Sequence, residues 1–264
     1  MKGVTDQLII KKKGGIGIIQ FNNQQHRNAL TYEMWQGLPI ILEEFRSDQE
    51  VRVVVLSGSG GKAFCAGADI SQFEKNRSSK DSIASYDRAV DLASDTLSEF
   101  PKPTVAKIEG FCVGGGLGIA LCCDLRIAND QAAFSVPAGK LGLGYKAKGL
   151  KRLVDVVGPS MAKEIFFTAR LFTCQEALEM GLVNRILPKN ILNQYVDNYA
   201  ATIAENAPLT IHAAKVVIDQ IKKPSNEYDA NLCQTVVEEC FTSNDYKEGR
   251  LAFMEKRKPN FQGN

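Results

Sequence analysis

Apolar positions in the first two thirds of the chain fall into short β-like runs divided by glycine. In the last third they form helical stripes. Leu8-Ile9-Ile10 and Ile16 to Phe21 flank Gly14-Gly15, which predicts a hairpin. Thr31, with Glu33 close behind it, predicts a helix N-cap. Trp35, Leu38, Ile41, Leu42 and Phe45 then recur at helical spacing. Pro39 sits inside that stripe and predicts a kink, because proline has no N–H for the helical ladder. Residues 51–56 (VRVVVL) have the length and β-branching of a buried strand, closed by Ser57-Gly58-Ser59-Gly60-Gly61. Residues 81–100 are helical in period as far as Pro101-Lys102-Pro103. Residues 105–108 make a short strand, 117–121 a tight helix of small apolar residues, and 125–128 a further strand.

From Pro159 the pattern turns helical. Helices are expected over 161–168 and 174–181, with Gly181 suited to a C-cap, and one last strand over 183–187. Beyond Pro188 every long segment is helical: 191–205, 209–221, 226–243 and 246–255. Strands interleaved with helices and followed by helices alone predict an α/β core with a helical C-terminal appendage, the boundary falling between 188 and 208.

Composition narrows the class without naming a chemistry. The 264 residues are 44% hydrophobic and 23% charged, as in a soluble globular protein. A net charge of +2 gives no reason to expect nucleic acid or an anionic membrane, and Lys11-Lys12-Lys13 reads as a solvated strand end. No window approaches a membrane span, and Met1 to Gln7 lacks the apolar stretch of a signal peptide. The seven cysteines (65, 112, 122, 123, 174, 233 and 240) are odd in number and sit mostly in apolar runs. They read as buried thiols in a reducing compartment, which predicts a cytoplasmic protein. With only His26 and His212 and no CxxC spacing, the chain offers no zinc set, and no metal is expected.

The chemistry concentrates in two glycine turns, Phe64-Cys65-Ala66-Gly67-Ala68-Asp69-Ile70 and Phe111-Cys112-Val113-Gly114-Gly115-Gly116-Leu117-Gly118. Each follows a strand-like run and reads as opening a helix, which leaves backbone N–H groups free at the turn. Two such turns facing one another could hold one developing oxyanion. A bare glycine run also suits close helix packing, and that reading stays open. The second turn lacks the Gly-Lys-Ser/Thr of a P-loop and the phase of a dinucleotide fingerprint, so a nucleotide-phosphate protein is the weakest alternative.

Taken together, Ala63 to Ile70, Lys102-Pro103, Glu109-Gly110-Phe111 before the glycine run, and Cys123 to Ala128 resemble the enoyl-CoA hydratase/isomerase (crotonase) family. So do Glu176-Ala177, Gly181-Leu182-Val183 and Phe253 to Phe261. The resemblance runs from about residue 8 to residue 261. It implies an α/β fold, a spiral of ββα units over residues 1–195. A helical region over 196–264 would then pack the chain into homotrimers or hexamers. It also implies an acyl-CoA thioester as substrate, in fatty-acid or acyl-CoA metabolism, with coenzyme A as part of the substrate and no separate cofactor. By this resemblance the N–H groups of Ala68 and Gly115 grip the thioester oxygen as it becomes an enolate, and Asp69 pins the turn. His26, Arg27 and Ala29 line the nucleotide, Ala66 and Ile70 flank the pantetheine path, and Phe253 and Lys256 reach the CoA of a neighbouring subunit.

The resemblance also exposes a gap. Hydratases of the family add water with two glutamates, and the matching positions here are Gly118 and Ala138. Neither side chain can move a proton, whereas water addition needs both a base and an acid. Tyr145 stands where methylmalonyl-CoA decarboxylases of the family carry a tyrosine, and decarboxylation needs the oxyanion turns but no strong base. Lys140, Lys146 or Lys148 could then bind a second carboxylate, although solvated loop lysines are the favoured reading. Against a decarboxylase, those enzymes carry histidine where this chain has Ala68, and glutamate where it has Gly118. Glu109, Glu74 and Asp87 are the other acids considered as a base. A catalytically silent acyl-CoA-binding homologue is the competing class.

Overall fold

Leu8–Lys13 (β1) and Ile16–Phe21 (β2) pair antiparallel across Gly14-Gly15, as the alternation predicts. The structure is a computed structural model that describes residues 4–69 and 80–264. Thr31 caps Tyr32–Ser47 (α1) by accepting the Met34 N–H at 3.3 Å. Pro39 lies within α1, yet the helix runs on past it without a break. Seven residues of α1, among them Trp35, Leu38 and Phe45, are buried on one stripe, and that burial outweighs one missing helical bond. Lys102 closes the far end of α1: its Nζ donates to Phe45 O at 2.6 Å and Asp48 O at 2.7 Å, while burial pushes its pKa down.

Val53–Gly58 (β3), Thr104–Ile108 (β5), Leu125–Asn129 (β7) and Arg185–Leu187 (β10) extend β2 into a six-stranded sheet in the order β1-β2-β3-β5-β7-β10, all parallel after β1. After β3, β5 and β7 the chain makes a second short strand: Ala63–Cys65 (β4), Phe111–Val113 (β6) and Ala133–Ser135 (β8). With Phe172–Thr173 (β9) these form a separate four-stranded sheet. Each turn of the chain therefore gives one strand to each sheet before entering a helix. Those helices are Lys80–Ser98 (α2), Gly115–Cys122 (α3) and, after β8, the short Ala138–Leu141 (α4) followed by Ala147–Thr168 (α5). Sequence periodicity does not predict the second sheet, since strands of two or three residues are too short to show alternation.

Alternate residues of the large sheet face two layers. Val54, Leu56, Ala106 and Ile108 pack inward with α1, α2 and α3. Val53, Val55, Val105 and Ile127 pack outward on Leu192, Val196, Ala200 and Ala204 of Lys189–Glu205 (α7). Cys174–Glu179 (α6) leads into β10. Pro208–Ile221 (α8), Ala230–Thr242 (α9) and Asn244–Glu255 (α10) complete the C-terminal region. Two helix starts differ from expectation. α5 begins at Ala147, not after Pro159, because the Lys- and Gly-rich segment 146–152 hides its period; Gly158 (φ 74°) and Pro159 kink it. α9 starts at Ala230, after the N-cap Asp229, whose carboxylate accepts the Leu232 N–H at 2.9 Å, later than residue 226. Among the described residues no helix is long and apolar enough to cross a membrane. All seven cysteines are free thiols, and five are buried.

Candidate active site

The two glycine turns lie at the ends of adjacent strands. β4 and β6 pair parallel with Cys65 beside Cys112, so Ala68 and Gly115 each stand three residues beyond that matched pair. Gly67 (φ 111°) and Gly114 (φ 54°) turn the chain through backbone conformations that a side chain would disfavour. Gly114 N–H is anchored to Ser135 O at 2.8 Å, and Gly115 then starts α3. The Gly115 N–H has no intrahelical acceptor and carries the positive end of the helix dipole. At the other end of α3, buried Arg126 donates to Cys123 O at 2.6 Å and Ala120 O at 3.3 Å, so a cation sits on the negative pole.

Ala68 is presented from the opposite side. Leu30 N–H donates to Gly67 O at 2.8 Å, and Asp69 N–H donates to Leu30 O at 2.9 Å, an isolated parallel bridge that straddles Ala68. In a trans peptide the Ala68 N–H points opposite to the Gly67 carbonyl, hence away from Leu30. The space it faces is that of Gly115, where a Cβ would stand 3.5 Å from Ala68 N and 3.5 Å from Trp35 Cζ2. Trp35 is held by its indole N–H on the Tyr86 hydroxyl at 3.1 Å, and Tyr86 stacks on Tyr32. Two backbone N–H groups thus lie near one another beside an aromatic wall. Such a pair suits an oxygen that gains negative charge.

The segment after β2 fastens this arrangement. Ala66 N–H donates to Arg27 O at 3.1 Å, and the Arg27 guanidinium lies 5.0 Å from the centre of the Phe111 ring. Ala29 is buried. His26 Nδ1 meets Asp69 Oδ2 at 2.9 Å, with Asp69 buried and His26 half-exposed. Asp69 thereby ties the first turn to the His26 segment. His26, Arg27, Ala29, Ala66, Ala68, Asp69 and Gly115 therefore form one neighbourhood. Ile70 and Glu74 lie outside the described residues.

Sequence reasoning missed Asn28. It is buried in the left-handed conformation (φ 59°), and its Nδ2 donates to Ser59 O at 2.9 Å and Ala63 O at 2.8 Å. The one available signal was residue type, because asparagine tolerates that conformation better than most.

Gly118 lies one turn into α3, its N–H on Gly114 O, and a Cβ there would meet no atom within 4 Å. Ala138 opens α4 and is buried. It follows Pro137, whose Cδ is 4.0 Å from a Cβ built on Gly114. Both positions therefore border the second turn, and neither carries a proton-transfer group.

The other candidates have partners elsewhere. Tyr145 packs edge-to-face on Phe166 with ring centres 5.0 Å apart, and burial raises its phenol pKa. Lys146 pairs with Asp87 at 3.2 Å and Asp91 at 2.8 Å, and Lys148 with Asp95 at 2.8 Å. Lys146, Lys148 and Asp87 are thus engaged in ion pairs, and Lys140 is exposed. Glu109 sits 3.7 Å from Lys107 Nζ and against Gly61. Phe253 and Lys256 lie at the end of α10, Phe253 being 83% exposed.

A sequence profile described as enoyl-CoA hydratase/isomerase matches residues 11–264. The short-chain-enoyl-CoA hydratase of Clostridium acetobutylicum is 32% identical over 253 residues, covering 96% of each chain. The crotonyl-CoA hydratase of Syntrophomonas wolfei is 30% identical over 256 residues, covering 97% of this chain and 98% of that one. The crystal structure of an enoyl-CoA hydratase/carnithine racemase from Magnetospirillum magneticum superposes with a TM-score of 0.92 at 34% identity, covering 98% of this chain and 97% of that one. The ββα spiral expected from the sequence is therefore the fold of this protein, and the chain belongs to the enoyl-CoA hydratase/isomerase (crotonase) family.

Proposed function

We propose that the protein acts on acyl-CoA thioesters and stabilises a thioester enolate between the N–H groups of Ala68 and Gly115. The observation that carries this reading is that the two turns bring backbone donors close together, Ala68 beside the Leu30 bridge and Gly115 at the head of α3. In known oxyanion holes the loss of one such donor costs about 3–4 kcal/mol of transition-state stabilisation. His26, Arg27, Ala29, Ala66, Asp69 and Ile70 are the proposed CoA-lining set, with coenzyme A entering as part of the substrate. Phe253 and Lys256, at the exposed end of α10, serve the CoA of a neighbouring subunit in a homotrimer or hexamer. Sedimentation at micromolar concentration is expected to show such an assembly, and a stable monomer would remove those two residues from the site.

The two relatives named above are hydratases, but Gly118 and Ala138 leave this chain without the two carboxylates that family hydratases use to move protons. Slow crotonyl-CoA hydration is therefore expected. Gly118→Glu with Ala138→Glu should raise it about 10²-fold or more, the scale of one general acid–base contribution; a Cβ added at Gly118 meets no atom within 4 Å. Wild-type turnover matching an ordinary hydratase would show that these positions do not matter. A second reading, decarboxylation of a malonyl-type acyl-CoA, fits the same gap, since departing CO₂ leaves the enolate behind without a base. A screen of acyl-CoAs with mass-spectrometric product detection separates the two. If calorimetry shows no acyl-CoA binding at micromolar levels, the whole reading fails and an acyl-CoA-binding homologue is excluded with it.

A further inference from the structure

We infer that Cys65 is a positioning residue, whose thiol holds the Gly67–Ala68 peptide plane and so aims the Ala68 N–H into the site. This rests on the enolate reading above and adds a residue that touches no substrate. The Gly67 carbonyl, which shares a rigid plane with the Ala68 N–H, has two donors on it: Leu30 N–H at 2.8 Å and Cys65 Sγ–H at 3.4 Å. The same sulfur accepts the Gly67 N–H at 3.4 Å. One thiol therefore spans both polar groups of a glycine whose φ of 111° places it in a region few other residues adopt.

The thiol is itself immobile. Cys65 is fully buried beneath the head of α3, where a Cβ on Gly116 would fall 2.3 Å from Cys65 O and 2.7 Å from its Cβ. Its strand partner is Cys112, the residue from which the other turn departs. Cys65 thus links both halves of the site: it grips the first turn and supports the helix that begins with the second donor. Burial pushes its pKa up to about 12, so it acts as a neutral hydrogen-bonding group and not as a nucleophile.

The test uses acetoacetyl-CoA, whose enolate absorbs in the near ultraviolet and forms by loss of the α-proton to solvent. Full-length wild-type protein is expected to raise the enolate constant of the bound ligand at least 10-fold over the free ligand. Cys65→Ala should lose about 10-fold of that gain while binding CoA itself as tightly as wild type, because a misaimed donor costs less than the 10²–10³-fold of a lost one. Cys65→Ser, which keeps a donor and an acceptor in place, should lie between the two. No enolate gain in wild type overturns the oxyanion reading itself. A normal gain that survives intact in Cys65→Ala, or a Ser variant no better than Ala, overturns the role of Cys65 alone.

One measurement needs no folded alanine variant. The Cys65 S–H stretching band, taken as the infrared difference between wild type and Cys65→Ser, should move to lower frequency with acetoacetyl-CoA but not with CoA. An N–H that donates to an oxyanion polarises its peptide and makes the Gly67 carbonyl a better acceptor for the thiol. A band that ignores both ligands overturns the proposal.

Discussion

Asn28 shows how much can depend on one residue with no chemistry of its own. Its amide bridges Ser59 O and Ala63 O, and its Oδ1 accepts the Asn23 N–H at 3.1 Å. Replacing it with alanine strands buried groups and leaves a Cβ residue left-handed, so Asn28→Ala should cost about 2–4 kcal/mol in urea unfolding. A cost under about 0.5 kcal/mol would show that the loop re-satisfies those groups on its own. Gly116 makes the complementary point. Gly116→Ala puts a methyl 2.3 Å from a backbone carbonyl, and either α3 or β4 must shift. Enolate formation is expected to fall more in this variant than in Gly118→Ala, where the added methyl meets open space. The glycine turns were legible from the chain because glycine in runs has few purposes. Asn28 and Cys65 were not, because each acquires its role from partners brought in by folding.

Between elements, the seating of the first turns of α5 is electrostatic. Asp87, Asp91 and Asp95 recur at intervals of four along α2 and face Lys146, Lys148 and Arg152. Such exposed or partly exposed pairs contribute little to global stability, typically about 0.2–1 kcal/mol each. Their effect is expected locally: Asp91→Asn with Asp95→Asn should speed amide exchange across 143–150 and leave the urea midpoint nearly unchanged. Unaltered exchange there would assign the seating to the Tyr145–Phe166 contact instead. The acids of this ladder lie in a stretch whose helical period was plain, but their partners lie about 55 residues away in a lysine-rich stretch that read as loop. The large sheet was legible for the converse reason: its strands are long and β-branched enough to carry their own pattern, unlike the residues of the second sheet.

Across the whole molecule, the C-terminal stretch is fastened back to the core. Arg52 Nη2 donates to Phe261 O at 2.6 Å, and buried Asp245 accepts the N–H groups of Gln262 at 2.7 Å and Gly263 at 2.8 Å. Glu248 grips Arg257 at 2.6 Å and the Asn260 N–H at 2.8 Å; these bonds, with the Arg257 bond the larger cause, lower its pKa to about 2. A depressed carboxylate favours the folded form above its ordinary value of 4.5, and that support is lost as pH falls toward 2. Residues 256–264 should therefore loosen below about pH 4.5, seen as proteolytic cleavage there, and Glu248→Gln should loosen them already at neutral pH. Cleavage independent of pH and of that substitution would place the grip on Arg52 and Asp245.

The matched pair Cys65 and Cys112 sets a dimension. Neighbouring strands lie about 4.8 Å apart; two donors that kept this separation, each about 2.9 Å from a shared oxygen, would subtend an angle of about 110°. The gauge of the proposed cradle thus follows from how the two strands pack, a property of the backbone and not of an acid or base in the site. A lineage built on such a frame can exchange its acids and bases freely and still keep the same reactive intermediate within reach.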